Sequence, residues 1–431
     1  MSRWTLRCLV LPFLLSCVLA SAQSGGKAKL SYKLLSIHVK GLARLKDEQV
    51  VNASGLKIGQ FAGEDEFKKA IDKLGDTGLF TDLTYSYQYS SAGCNLELQL
   101  AENDKLLPIV FDNFVWFSDD ELIDLLRARL PLFDGRLPLA GDLADQVSEA
   151  LKGILAERKI FGEAGYLRAA AFEGPIDSYI YKVNLHPVVV HNLDFPGAAT
   201  AEMPALDAAS KPLSGQEYLR SKMRVQERLN FLPVYLSRGY LKAKFADAQA
   251  KISDDGPQTL VDVTIPVAPG LQFKLSQIQW AGNAVFPAEK LQELIHLKPG
   301  EPANAVQLVD DLEQVQKLYG TKGYLFARVN SAPDMDDAQA GVSYQLSVTE
   351  GDLYRMGELE INGISPENAK KIATQWQLKA GDPFDDSYMD RFFKTTYRDI
   401  GLPGFWRIIP KKSVNQQNKT VAVALHFVPK N

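Results

Sequence analysis

Apolar and polar positions change period in a fixed order along this chain. Leu35, Ile37 and Val39 alternate with Ser36, His38 and Lys40, the period-two pattern of a strand with one buried face. A short helix is predicted from about Asp47, and residues 56–59 then turn the chain at Gly59, a residue suited to stopping a helix. The next stretch sets Phe67, Ala70, Ile71 and Leu74 at i, i+3, i+4 and i+7, so one helical stripe faces inward until Gly78 ends it. Two more strands, over 80–89 and 95–100, are predicted to meet across a glycine-containing connection at 90–94.

This grammar recurs. Leu56-Lys57-Ile58-Gly59 returns as Leu297-Lys298-Pro299-Gly300 and Leu378-Lys379-Ala380-Gly381, and Gly135 and Gly215 fill the interval at steps of 76, 80, 85 and 81 residues. A second landmark keeps the same beat at Gly78, Gly165, Gly239, Gly323 and Gly401. The later second helices are predicted on the stripes Leu143, Val147, Ala150, Leu151 and Ile154; Val225, Leu229, Leu232 and Leu236; Leu308, Leu312, Val315 and Tyr319; and Met389, Phe392, Phe393 and Thr396. Each copy reads strand, helix, helix, strand, strand.

The fold class that follows is α+β: five small β-α-α-β-β domains in tandem, each a three-stranded mixed sheet with two helices over one face. The expected spans are 31–103, 104–187, 188–269, 270–351 and 352–431. Short connections such as residues 348–353 predict an extended rod.

Residues 1–22 read as a leader: Arg3 and Arg7, an apolar run from Cys8 to Ala20, and an Ala20-Ser21-Ala22 cleavage site. Export to a periplasm follows. A rival reading makes Cys17 a lipidated first residue, but Ala20-Ser21-Ala22 is the better match. Removal after Ala22 leaves Cys94 as the one thiol, expected inert in the 90–95 turn, and no later stretch reads as a transmembrane helix. With 48 basic and 52 acidic residues, the chain lacks the positive footprint of a nucleic-acid binder.

The motifs at Ile278-Gln279-Trp280-Ala281-Gly282-Asn283, at residues 297–300, at Gly323-Tyr324-Leu325-Phe326 and at Leu346-Ser347-Val348-Thr349-Glu350-Gly351 resemble the POTRA domain. This is the polypeptide-transport-associated module of outer-membrane barrel-assembly factors and two-partner secretion transporters. Copies one and five resemble it through Ile37-His38-Val39-Lys40-Gly41 and Leu359-Glu360-Ile361-Asn362-Gly363; copies two and three diverge, Phe195-Pro196-Gly197 being a loose version. Proteins of this type usually continue into a membrane barrel of roughly eight or more strands. The sequence stops at Asn431, after the last repeat, so an array without an attached barrel is expected.

Enzymatic readings find little support. Ser54-Gly55-Leu56-Lys57 fits a Ser-x-x-Lys motif without its companions, and Asp334, Asp336 and Asp337 form only part of a calcium loop. The five histidines fall in different copies without ligand spacing, so neither a metal nor a cofactor is expected. A sheet with an unpaired edge, by contrast, can accept an extended partner segment through its backbone. The resemblance implies that this edge is the strand after the second glycine, over residues 80–89, 166–172, 241–249, 325–331 and 405–410. The candidate binding residues are Tyr324, Leu325, Phe326 and Val329 in copy four, the first choice, with Phe80, Leu83 and Tyr85 in copy one and Tyr240 and Leu241 in copy three. The partners implied are an outer-membrane β-barrel protein or barrel-assembly complex, and unfolded outer-membrane or secreted polypeptides. The alternative is an envelope adaptor that spaces a membrane complex and binds no client chain, for which Pro410, Lys411 and Lys412 on the last edge speak.

Overall fold

A computed structural model describes residues 31–170, 174–402 and 406–429. The leader expected at 1–22, with Cys8 and Cys17, lies outside them, as do Phe172 and Phe405 of two expected edges. The described residues divide into two compact units, one running to Phe111 and resuming at Phe117–Asn184, the other made of Asp112–Trp116 and the chain from Leu185.

The first unit contains two sheets. In the first, β1 (Tyr32–Lys40), α1 (Asp47–Ser54), β2 (Phe61–Ala62), α2 (Glu64–Asp76), β3 (Phe80–Ser90) and β4 (Gly93–Glu102) follow in order, and the sheet runs β2-β1-β4-β3. β1 is parallel to β4 and β3 antiparallel to it, so the two helices form the crossover between parallel strands. Phe67, Ala70 and Leu74 of α2 are buried, as their spacing predicts. Cys94 lies in β4 and not in the turn; it is fully buried, and burial raises its thiol pKa. The second sheet, β6-β5-β8-β7, is built from β5 (Leu106–Phe111), α3 (Asp119–Arg129), β6 (Arg136–Pro138), α4 (Leu143–Glu157), β7 (Glu163–Ala170) and β8 (Ile176–Asn184). Both sheets thus gain a short fourth strand from the segment after the first glycine landmark.

Gly165 is not the second landmark of copy two; it sits inside β7. The left-handed position is taken by Lys159, at φ 59°, and the Ile160 N–H donates to the Leu155 carbonyl at 2.9 Å. The same five-residue bond closes copies three and four, from Tyr240 to Tyr235 and from Tyr324 to Tyr319. A search for glycines passes over this site because lysine occupies it, at the steric cost a Cβ carries there.

The second unit begins with β9 (Val188–Asp194), α5 (Met203–Ser210), α6 (Arg220–Gln226), α7 (Leu232–Leu236), β10 (Lys244–Phe245), β11 (Gln249–Asp255), β12 (Thr259–Thr264) and β13 (Val267–Ala268). The sheet runs β11-β12-β9, with β10 paired to β13. A π turn, Glu227–Phe231, separates α6 from α7. Val225 and Leu229 of the expected stripe are 42% and 59% exposed, and Met223, Phe231 and Tyr235 on another face enter the core instead.

Two further copies complete this unit. One runs β14 (Lys274–Ala281), α8 (Ala288–Gln292), α9 (Ala305–Gly320), β15 (Arg328–Asp336) and β16 (Gly341–Thr349); the other runs β17 (Arg355–Asn362), α10 (Pro366–Gln375), α11 (Tyr388–Lys394), β18 (Trp406–Asn415) and β19 (Thr420–Pro429). Their sheets are β14-β16-β15 and β17-β19-β18. Leu308, Leu312, Val315 and Tyr319 of α9 pack with Val342, Tyr344 and Leu346 of the central strand. The joints inside this unit are built from main chain. Phe273 N–H donates to the Gly239 carbonyl and Tyr354 N–H to the Gly323 carbonyl, each at 2.8 Å. At Gly323, φ is +90° and an added Cβ would lie 2.5 Å from the Tyr354 carbonyl oxygen, so both conformation and space require glycine.

Candidate functional site

Every opening strand has the first part of its outer edge closed by the turn that follows the first glycine landmark. In copy one, Leu34 N–H donates to the Gln60 carbonyl and Gly59 N–H to that of Leu34. The pattern returns at Val190 with Gln216 and Gly215, at Leu275 with Glu301 and Gly300, and at Met356 with Asp382 and Gly381. The turn at the first glycine landmark therefore closes the start of one edge of its own sheet. The opposite side ends in β3, β7, β11, β15 or β18, and among the described residues no strand pairs with the outer edge of any of these. Each copy presents one edge closed at its start and one edge without a partner strand among the described residues.

The candidate residues divide between edge and joint. Phe80, Leu83 and Tyr85 lie in β3, and Val329 lies in β15 with its side chain in the copy-four core. Tyr324, Leu325 and Phe326 do not belong to the edge strand, which starts at Arg328; Tyr240 and Leu241 likewise precede β11, which starts at Gln249. Tyr324 packs edge-on against Tyr319, ring centres 6.3 Å apart, while Leu325 reaches the copy-five core and Phe326 meets Tyr354 at 5.3 Å. Leu241 reaches the copy-four core in the same way. Leu241, Leu325 and Phe326 fasten one copy to the next, while Tyr240 and Tyr324 pack in their own copies, because the chain must leave the second helix at the joint before it can enter the sheet. The strands of copies two and five run Glu163–Ala170 and Trp406–Asn415, close to their expected places.

The five open edges differ in chemistry. Ile37 and Ile278, each four residues before a glycine, pair with Leu96 and Tyr344, which face Tyr87 and Pro333 across the sheet; Tyr87 and Pro333 therefore occupy equivalent positions. By the same register, Pro410, opposite Leu425, stands where Tyr85 stands opposite Leu98. Proline has no N–H, yet both strands stay paired to their neighbours through these positions. Residues on this face therefore direct their N–H groups away from the sheet, and each proline deletes one outward donor. β18 adds Arg407, Lys411 and Lys412, and β15 adds Arg328, Asp334 and Asp336. β3 has eleven residues, no proline and Asp82 as its one charge. It is the least protected of the five edges by the features that commonly blunt one.

On β3 the face bearing the outward N–H groups is aromatic. Tyr85, Tyr87 and Tyr89 follow at ring separations of 6.4 Å, Tyr32 stacks on Tyr89 at 4.9 Å, and Phe67 of α2 closes on Tyr87 at 5.3 Å. Exposure rises along the row, to 36% at Tyr87 and 63% at Tyr89. Burial raises the Tyr85 phenol pKa first, followed by the charges of Glu64, Asp65 and Asp72 on α2 and the neighbouring Tyr87. Carboxylates of α2 thus act on the first tyrosine of the row. Sequence reasoning named Tyr85 and missed Tyr87, Tyr89 and Phe67, although the Tyr-x-Tyr-x-Tyr alternation was there to be read.

A carboxylate braces this copy. Glu102 accepts the N–H groups of Ala43, Arg44 and Leu45 at 2.9–3.0 Å. Burial pushes its pKa up, but those three bonds and the Arg44 charge outweigh it and hold the carboxyl below its usual range. Glu350 does related work in copy four, accepting from Val285 N–H at 2.7 Å and the Tyr319 hydroxyl at 3.1 Å. The aspartates of the partial calcium motif serve the hairpin: Asp336 caps Ala338 and Gln339, and Asp337 pairs with Lys242.

Residues 273–351 match the family model for POTRA, described as surface antigen variable number repeat. A putative outer membrane protein assembly factor of Treponema pallidum is 26% identical over 44% of this chain and 23% of its own length. The outer membrane protein assembly factor BamA of Neisseria meningitidis is 24% identical over 53% of this chain and 30% of its own. That of Nitratidesulfovibrio vulgaris is 18% identical over 83% and 46%. The chain therefore spans less than half the length of these curated relatives. Among solved structures, POTRA domains 3–5 of Haemophilus influenzae BamA match with a TM-score of 0.41 at 19% identity, over 56% of this chain and 96% of that one.

Proposed function

We propose, from the premise that residues 273–351 are a POTRA domain in a chain related to outer-membrane assembly factors, that this protein serves outer-membrane protein assembly on the periplasmic side. It acts without catalysis, taking up extended segments of barrel precursors, or of a barrel component, as added strands. The observation that carries this reading is the asymmetry of each sheet, with one edge closed at its start by its own glycine turn and the other without any partner strand among the described residues. Backbone pairing tolerates many sequences, which suits a site that must accept many clients. A second reading, an adaptor that binds no client, draws support from Pro333 on β15 and Pro410 with Lys411 and Lys412 on β18.

Photo-crosslinkers placed singly at Gln88 in β3, Asn330 in β15 and Ser413 in β18 test the two. Capture of unfolded barrel precursors supports strand uptake. One membrane protein captured in stoichiometric amount supports the adaptor, and no capture from any of the three strands removes the edge-binding reading.

A further inference from the structure

The edges of copies one, four and five differ most where the outward row of N–H groups coincides with a row of side chains. In β15 and β18 that row contains a proline, whereas in β3 it contains Tyr85, Tyr87 and Tyr89. A strand laid along β3 would bond to the outward groups of these three residues. Its alternate side chains would then lie about 5 Å from the rings, the distance of cross-strand pairs, in which aromatic and β-branched partners are favoured. The same side chains would face α2, whose first turn carries Glu64, Asp65 and Glu66. Glu66 is already engaged with the Gly63 N–H at 2.9 Å. Glu64, Asp65 and, further along the helix, Asp72 all act on Tyr85, so negative charge lies beside the row. A basic residue on an added strand gains from this field, and an acidic one is opposed.

We infer that β3 is the selective client edge of this chain: it takes an extended polypeptide segment that alternates polar residues with aromatic or β-branched ones and carries a lysine or arginine on the latter face. This rests on the strand-uptake reading above and adds side-chain choice to it. Backbone pairing alone would make β3 indifferent to what lies along that face. The tyrosine row and the carboxylates of α2 make it discriminate.

The test uses the full chain and a nine-residue synthetic peptide with tyrosine and valine at alternate positions and one lysine on their face, followed by fluorescence anisotropy. Tyr87→Pro reproduces the Pro333 arrangement and deletes one outward donor without touching the bonds to β4. The triple variant Tyr85→Ser, Tyr87→Ser, Tyr89→Ser keeps every outward donor and removes the rings; Tyr89→Ser alone, at the exposed end, guards against a copy that fails to fold. The expected results are a loss of about tenfold or more for Tyr87→Pro and for the triple variant, about threefold for Tyr89→Ser, and about threefold when the peptide lysine becomes aspartate. If Tyr87→Pro abolishes binding while the serine variants and the aspartate peptide bind as before, strand uptake stands and the selectivity falls. If Tyr87→Pro binds normally, both fall. A concentration-dependent dimer of the chain, abolished by Tyr87→Pro, would assign the edge to a second copy and overturn the client assignment.

Discussion

β3 of the first copy and β15 and β18 of the last two occupy the same place in the same kind of sheet, yet they treat that place in opposite ways. Where β3 has Tyr87, β15 has Pro333; where β3 has Tyr85, β18 has Pro410. An open edge is a property of the topology, since a strand at the end of a sheet has no neighbour. Whether the edge is usable is decided by one or two side chains and one missing N–H. Repeats that share an architecture can therefore divide labour, with one copy suited to receiving chains and the last two blunted against pairing.

The largest effect expected on this contrast comes from separating the copies. Gly323→Val sets a β-branched residue at φ +90° against the Tyr354 carbonyl and should weaken the joint between copies four and five by about 2–4 kcal/mol. Hydrogen exchange at the Tyr354 amide, which donates to Gly323, should accelerate sharply while peptide binding at β3 is unchanged. Lost binding at β3 would mean that the two regions are not independent.

Glu102→Gln acts inside the receiving copy. It keeps one acceptor where the carboxylate serves three N–H groups and should cost about 1–2 kcal/mol near neutral pH. Because the folded carboxyl pKa is lowered, its contribution is full above the ordinary carboxylate pKa of about 4.3 and is lost as pH falls through the lowered value. The gap between wild type and variant in hydrogen exchange of the Ala43–Leu45 amides should accordingly close in acid. A gap that persists below both pKa values would assign the bracing to packing.

Pro333→Thr restores the deleted donor on β15. It should cost the fold about 0.5 kcal/mol through a freer unfolded chain and raise crosslinking from Asn330. If β15 stays silent, its charges blunt it and the proline does not. Lys412→Ala should change stability by less than about 0.5 kcal/mol, since its pair with Asp386 is partly exposed, and should leave β18 unreactive as long as Pro410 remains.

Much of this architecture is legible in the linear pattern. The first glycine landmark is recovered in all five copies, each at positive φ, and the strand-helix-helix-strand-strand order holds because period two and period 3.6 are local signals. The misreadings have physical causes. Lys159 adopts a backbone that the motif search assigned to glycine. In copy three two apolar rows share the helix, and packing buries the one through Met223, Phe231 and Tyr235, so a helical spacing at Val225 and Leu229 marks solvent. Tyr324, Leu325 and Phe326 follow a glycine and look like the start of a strand, but the chain spends four residues at the joint before β15 begins at Arg328. At the edge itself, alternating tyrosines were visible, while their coincidence with the outward N–H row was not.

The sequence by itself determined the number of copies, the order of elements in each, the turns at Gly59, Gly135, Gly215, Gly300 and Gly381, and the residues that fill most of the cores. These follow from short-range sterics and from the need of each helix stripe and strand face to escape water. Tertiary structure alone decided which sheet edge the glycine turn partly closes, which glycines serve joints, and which residues of the outer strands send their N–H groups outward. Those outcomes depend on register between strands tens of residues apart, where a shift of one position exchanges the two faces, and no local pattern specifies it.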